Sequence, residues 1–179
     1  MPGTDPISLS GEMLDAAKSY LRIDNGVEDE VIRTVMAAAV RHAEAFVGQL
    51  LLRRTQSVQL SAGSGWQALP VVPVIGIVGV TGIPADGAAF ALQPPAWEAA
   101  IDKRGNASIR IVRPGSAGRV EVDVDAGIAA DWGGLPDNIR LGLLRLAAHF
   151  HAHRDAADDT SPPMAALALL APWKRMRLA

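Results

Sequence analysis

The period of the hydrophobic pattern changes twice along this chain, and that change constrains the fold more than any single motif. Apolar residues have helical spacing in residues 1–50, alternate with polar residues through much of 51–127, and return to helical spacing in 128–160. A period of 3.6 indicates an amphipathic helix, and a period of two indicates a half-buried strand. We therefore predict an α+β fold: a mainly α-helical body of about four helices, with a β-rich insertion in the middle.

The length and composition indicate one globular domain. The chain has 179 residues, of which 49% are hydrophobic and 20% charged, and this is the composition of a chain that buries a core. We predict a single domain over residues 1–179. Its parts are a helical start (1–50), the β-rich insertion (51–127), a further helix (128–160) and a C-terminal tail (161–179).

Four segments have the spacing of helices. They are predicted at Ser10–Ile23, from Glu28 to about Gln49, from Leu135 to about Arg154, and at 163–170. Ser8 or Ser10 can cap the first helix, and Asp24-Asn25-Gly26 is a turn signal that ends it. The predicted buried stripe of the second helix is Val31, Val35, Ala38, Ala39, His42 and Phe46. That of the third is Ile139, Leu143, Leu146, Ala147 and Phe150.

The middle of the chain has strand signals separated by turns. Strands are predicted at Thr55–Ser61 and Val74–Thr81, followed by alternating segments around residues 97–102, 109–112 and 120–125. Asp86-Gly87 and Arg104-Gly105-Asn106 are the turn signals between them.

Three acids alternate with valines on the last of these strands. Glu121, Asp123 and Asp125 share one face, opposite Val120, Val122 and Val124. Such a row can hold a hard cation, but it lacks the glycine and terminal glutamate of a calcium loop. The alternative is the wet face of a half-buried strand, in particular one at a sheet edge, where charges prevent aggregation.

Three histidines alternate near the end of the third helix. His149 and His153 lie one turn apart and could share a metal ion, whereas His151 would point elsewhere. The alternative is a solvated helix end whose basic residues complement the helix dipole. We predict no metal site and no cofactor, because no second pair of ligands has firm spacing.

The sequence offers no enzyme signature. It contains no cysteine, which excludes disulfides and thiolate chemistry. It has no G-x-S-x-G elbow and no glycine-rich phosphate loop. The net charge of −2 argues against a basic nucleic-acid binder. The first residues lack a signal-peptide pattern, and the apolar stretch at 71–80 is too short and too broken to span a bilayer.

The C-terminal end combines an aromatic residue with cations. Trp173 and Met176 lie among Lys174, Arg175 and Arg177. Tryptophan and arginine are favoured at protein contacts, so this end can dock on a partner. Contact with DNA phosphates and a frayed, solvated terminus are the alternatives.

Several motifs occur in an order that is typical of one family. Residues 17–24 read A-K-S-Y-L-R-I-D, V-E-D follows at 27–29, A-A-A lies at 37–39, and R-T at 54–55 enters the first strand. Later come G-L-P at 134–136, I-R at 139–140 and L-L-A-P-W-K-R at 169–175. Together they resemble the head–tail connector (adaptor) proteins of tailed bacteriophages and phage-derived gene transfer agents. The family more often has Tyr after the last proline, and its smallest members have a less bulky middle.

The resemblance implies a structural protein and not an enzyme. In that family the subunits form a ring, usually dodecameric, beneath the portal, where it extends the DNA channel and joins the next neck or tail protein. The implied location is the neck of a virion or gene-transfer-agent particle, after synthesis in the bacterial cytoplasm, with no membrane partner. Double-stranded DNA would pass through without sequence specificity.

The resemblance also assigns candidate residues. The family's C-terminal tail engages the portal, and this maps to residues 163–179 here. The candidate docking residues are Leu169, Leu170, Pro172, Trp173, Lys174, Arg175, Met176 and Arg177.

A channel should not hold its DNA tightly, so Glu121, Asp123 and Asp125 are candidates for the channel wall. The alternative function is a DNA-binding packaging or regulatory factor of a phage or prophage.

Overall fold

The chain folds into two compact units, one of strands and one of helices. In this computed structural model, residues 9–154 and 161–175 are described. Residues Arg53–Ile128 form the β unit, and the helical unit consists of residues 9–52 with the described residues from 129 onward. The described residues contain four α-helices and two antiparallel sheets, which confirms the predicted α+β fold with strands in the middle of the sequence.

The helical unit has its helices close to the predicted positions. Helix α1 is Gly11–Leu21, α2 is Asp29–Val47, α3 is Asp137–Ala152 and α4 is Met164–Leu170, followed by a 3-10 turn at Ala171–Trp173. The Ser10 hydroxyl accepts a hydrogen bond from the Met13 amide at 3.3 Å, so Ser10 is the one of the two predicted candidates that caps α1. At the other end of this helix Arg22 takes a left-handed conformation, with φ of 60°.

The buried face of α2 differs from the predicted stripe. Val35 and Ala39 are buried as predicted, but Val31 and Ala38 are exposed, and His42 and Phe46 are only half-buried. The buried side chains are instead Ile32, Val35, Met36, Ala39, Val40, Ala43, Glu44 and Val47. Apolar residues lie on both sides of the predicted stripe, so spacing alone could not choose between two overlapping faces.

Helices α3 and α4 share the core of the helical unit. Ile139, Leu143, Leu146 and Ala147 are buried on α3 as predicted, whereas Phe150 is half-buried. Gly142 faces α4 closely, because a Cβ added there would lie 3.1 Å from two carbon atoms of Leu170. The small residue therefore permits a close approach of the two helices.

The β unit is built around a four-stranded antiparallel sheet. Strands β1 (Arg54–Ser61), β3 (Val74–Pro84), β4 (Phe90–Ala91) and β7 (Ala117–Ala126) lie in the order β1-β7-β3-β4. Val120, Val122 and Val124 of β7 are fully buried, as their alternation predicts. Strand β3 contains irregularities next to Ile75 and Val78, and both of these apolar side chains are exposed.

A smaller sheet completes the β unit. Strands β2 (Gln67–Ala68), β6 (Ala107–Ile111) and β5 (Trp97–Ile101) pair in that order. The turn between β5 and β6 falls at the predicted Arg104-Gly105-Asn106 signal. Gly105 has φ of +72°, and a Cβ there would lie 2.4 Å from Pro73 Cβ. This position therefore requires glycine for both its conformation and its space.

None of the helices in the described parts of the chain is long and apolar enough to cross a bilayer.

Candidate functional site

The C-terminal segment, residues 161–175, is anchored to the helical unit by buried apolar side chains. Ala166 and Leu170 of α4 have no exposed surface. The Asn138 side-chain amide donates a hydrogen bond to the Leu169 carbonyl at 3.2 Å. The segment is thus part of the core of this unit, and the Leu170 side chain is not available on the surface for docking.

The end of the same segment covers the C-terminus of α2. The Gln49 side-chain amide donates to the Trp173 carbonyl at 2.6 Å, and the Arg175 main-chain amide donates to the Val47 carbonyl at 2.9 Å. The Lys174 ammonium lies 4.9 Å from the centre of the Phe46 ring. The last carbonyls of a helix have no partner within the helix, and Arg175 supplies one for Val47.

The candidate docking residues differ in their exposure. Pro172 and Lys174 are exposed, Leu169, Trp173 and Arg175 are half-buried, and Met176 and Arg177 lie outside the described residues. The surface of α4 also includes Met164, which is 78% exposed and was not among the predicted docking residues. The helix consists only of apolar residues, so the sequence pattern could not show which of its sides is covered.

The acidic row lies on a central strand of the main sheet. Glu121, Asp123 and Asp125 are half-buried residues of β7, which pairs with β1 on one side and β3 on the other. The interpretation of the row as protection of a sheet edge is therefore wrong, because β7 has no free edge along these residues. Facing positions on the neighbouring strands are Gln59 and Ser57 of β1, and Thr81 and Gly79 of β3.

The three acids have different surroundings. The Arg53 guanidinium donates hydrogen bonds to both carboxylate oxygens of Asp125, at 2.9 and 2.8 Å from its Nε atom. These bonds hold the pKa of Asp125 below its ordinary value. Asp123 accepts a hydrogen bond from the neutral Ser57 hydroxyl at 2.5 Å. Glu121 forms no salt bridge with any residue that the structure describes.

The histidines of α3 separate as their spacing predicts. The rings of His149 and His153 lie 4.3 Å apart, whereas His151 points to Glu28, with 3.2 Å between His151 Nε2 and a carboxylate oxygen. His153 Nδ1 lies 2.8 Å from the carbonyl oxygen of His149, the residue one helical turn earlier. Within residues 9–154 and 161–175 no three His, Cys, Asp or Glu side chains converge as metal ligands would.

A further surface feature was missed by sequence reasoning. Trp66 is 51% exposed, and the Arg110 guanidinium lies 5.1 Å from the centre of its ring. Arg110 also pairs with Glu98 at 2.7 Å. These residues come from β5, β6 and the loop before β2, so only the pairing of strands brings them together.

Solved structures from particle necks have this fold. The chain is similar to a protein in the neck of an empty gene transfer agent (GTA) particle computed with C6 symmetry, with a TM-score of 0.78 and 23% identity. Matches to the virion of a native GTA particle and to the neck of a native GTA particle computed with C12 symmetry have TM-scores of 0.76 and 0.73, also at 23% identity. Each match covers 100% of this chain and 97% of the other. No protein-family model and no curated protein matches the sequence.

Proposed function

We propose that the chain is a structural subunit of the connector ring that joins the capsid to the tail in a phage or gene-transfer-agent particle. The observation that carries this proposal is the similarity of the whole chain to proteins of GTA necks, at TM-scores of 0.73 to 0.78. Because both units take part in the similarity, it supports treating the chain as one connector subunit. The symmetries of those necks, C6 and C12, support assembly into a ring.

In this proposal the ring binds beneath the portal, extends the DNA channel and presents a surface to the next neck or tail protein. The role is architectural, and double-stranded DNA passes without sequence-specific contacts. The placement of Glu121, Asp123 and Asp125 on the channel wall stays a prediction. Since Asp125 is paired with Arg53, Glu121 and Asp123 would supply most of the repulsion between such a wall and DNA.

The C-terminal end is the proposed portal contact. Leu170 is buried, so docking that leaves the helical unit intact must use side chains that keep exposed surface, such as Pro172, Trp173 and Lys174. Tryptophan and cationic side chains are favourable anchors for a partner protein, and Trp173 and Lys174 both keep accessible surface. We propose that this end docks while α4 keeps its place in the core.

The experiment is co-elution of the chain with its cognate portal protein, with mass measured by light scattering. Removal of residues 163–179 would also remove Ala166 and Leu170 from the core, and loss of Arg175 would remove the amide that bonds to the Val47 carbonyl. The variant of choice therefore lacks only residues 176–179. A second variant carries Lys174→Glu and Arg177→Glu. The matched control carries Arg41→Glu and Arg113→Glu, the same charge change at two exposed positions.

The proposal expects a ring-sized complex of portal with the wild type and with the control, and loss of the complex for both tail variants. Equal portal binding by all four proteins would sink the docking role of the tail. A wild-type chain that stays monomeric and ignores the portal would contradict the connector function itself.

A further inference from the structure

The turn between β5 and β6 presents two cations on a fixed scaffold. Lys103 and Arg104 are exposed, and neither forms a salt bridge with a residue that the structure describes. The nearby Asp102 carboxylate forms hydrogen bonds within the turn itself. It accepts hydrogen bonds from the Asn106 side chain at 2.5 Å and from the amides of Asn106 and Arg104 at 2.9 and 2.8 Å. Two cations and one carboxylate leave this turn with a net positive charge.

The position of the turn in the β unit is also fixed. Its Gly105 carbonyl accepts a hydrogen bond from the Val74 amide at 2.9 Å, next to Pro73, against which Gly105 packs. The Asp102 amide donates to the Asn106 carbonyl at 2.9 Å. A turn held in this way loses little conformational freedom when its side chains bind a partner.

The acidic row of the same unit has unneutralised charge and open space beside it. Asp125 is neutralised by Arg53, but Glu121 forms no salt bridge among the described residues, and Asp123 is bonded to a neutral hydroxyl. Gly79 faces Asp123 on β3, and a Cβ added at Gly79 would have no atom within 4 Å. The one cation of β7 in this row, Arg119, precedes Glu121 and is exposed. A side chain of another molecule can therefore approach Asp123 from the side of Gly79.

We propose that the β5–β6 turn of one copy binds the acidic row of the next copy, so that Lys103 and Arg104 face Glu121 and Asp123 across the contact between subunits. The occupant of the row is a second copy of this chain, because the chain itself carries the complementary charges on a separate feature. Two different surfaces that bind each other give a head-to-tail contact, which is the kind that closes into rings. This inference rests on the proposed ring, and it competes with the placement of the row on the channel wall.

The proposed contact can be tested by reversing the charges on each surface, because reversing both surfaces together should restore the association. One variant carries Lys103→Glu and Arg104→Glu, and the other carries Glu121→Lys and Asp123→Lys. A third protein carries all four changes. Each double variant then has two surfaces of like charge, whereas an equal mixture of the two, or the fourfold variant alone, restores opposite charges across every contact. Self-association is measured by sedimentation, with and without the portal protein, and folding is checked by circular dichroism.

We expect each double variant to associate at least about tenfold more weakly than the wild type, because like charges oppose each other at the contact. The mixture and the fourfold variant should recover association. Control variants with Arg41→Glu and Arg113→Glu, or with Asp24→Lys and Asp86→Lys, change exposed charges elsewhere and should assemble as the wild type does.

Three results would overturn the proposal. Normal rings from both double variants would remove these residues from the contact while leaving the connector function intact. Weak association that neither the mixture nor the fourfold variant restores would show that the two surfaces do not meet. A wild-type chain that does not self-associate under any condition would reject this contact together with the ring.

Discussion

The side-chain amide of Gln49 donates a hydrogen bond to the main-chain oxygen of Trp173, 2.6 Å away, and so joins the end of α2 to the C-terminal segment. The Arg175 amide donates to Val47 in the same region. The segment predicted as a docking tail is therefore folded onto the helical unit as far as residue 175. Its contribution to stability can be tested separately from the proposed docking, because Leu170 is buried whereas Pro172 and Lys174 are exposed.

Leu170 should contribute strongly to stability. Its side chain is fully buried against α3, so Leu170→Ala removes apolar contacts and leaves a cavity. We expect a loss of about 2–5 kcal/mol in the free energy of unfolding, measured by urea denaturation. Met164→Ala is the matched control in the same helix, since Met164 is 78% exposed, and should change stability by less than about 0.5 kcal/mol. Similar effects of the two substitutions would contradict the packing of α4 described above.

Gly105 should tolerate no side chain. Gly105→Ala places a Cβ 2.4 Å from Pro73 Cβ, at a φ of +72°, so either the turn or Pro73 must move. We expect a loss of about 1–3 kcal/mol, seen as a lower Tm. Gly118→Ala is the control, because nothing lies within 4 Å of a Cβ at that position. A Tm unchanged by Gly105→Ala would show that the turn is not held against Pro73.

The Arg53–Asp125 pair should make stability depend on pH in the acid range. Hydrogen bonds from Arg53 lower the pKa of Asp125 in the folded chain. The pair therefore stabilises the fold above the ordinary aspartate pKa of about 3.9, and this contribution is lost as the pH falls through the lower folded-state value.

Urea unfolding of the wild type and of Arg53→Gln between pH 7 and pH 3 measures this contribution. The difference in unfolding free energy should be largest near neutral pH and shrink in acid. The pKa of Asp102 is also lowered, mainly by hydrogen bonds from Asn106. Its contribution is the same in both proteins and therefore drops out of the difference in unfolding free energy. For the control Arg113→Gln, the difference in unfolding free energy from the wild type should not depend on pH. The same pH-independent difference for Arg53→Gln would argue against the Arg53–Asp125 pair.

The positions of helices, strands and turns were predicted better from the sequence than the side chains that each of them buries. The cap at Ser10, the alternation of Val120, Val122 and Val124, and the turn at Gly105 all follow from local rules, since each depends on neighbouring residues along the chain. The face of α2 does not. Residues such as Val31 and Ile32 are equally apolar, and contacts with other elements decided that Ile32 is buried and Val31 exposed.

The sequence showed which residue types could form a site, but it did not show where the fold would place them. The acidic row was evident from alternation, but its place on a central strand depends on pairing with β1 and β3. The same is true of the partner of Asp125, because Arg53 lies 72 residues away in the sequence. Leu170 was assigned to docking by the family resemblance of the C-terminal end, whereas its burial depends on the close approach that Gly142 allows.

The mass of the assembly formed with the portal protein tests the connector function most directly. Light scattering on the purified chain, alone and mixed with its cognate portal, gives the number of copies in the complex. The connector function predicts a discrete assembly of the chain on the portal, with a copy number that matches a closed ring of six-fold or twelve-fold symmetry, as in the necks with the same fold. A chain that remains monomeric in both samples at all concentrations would contradict it.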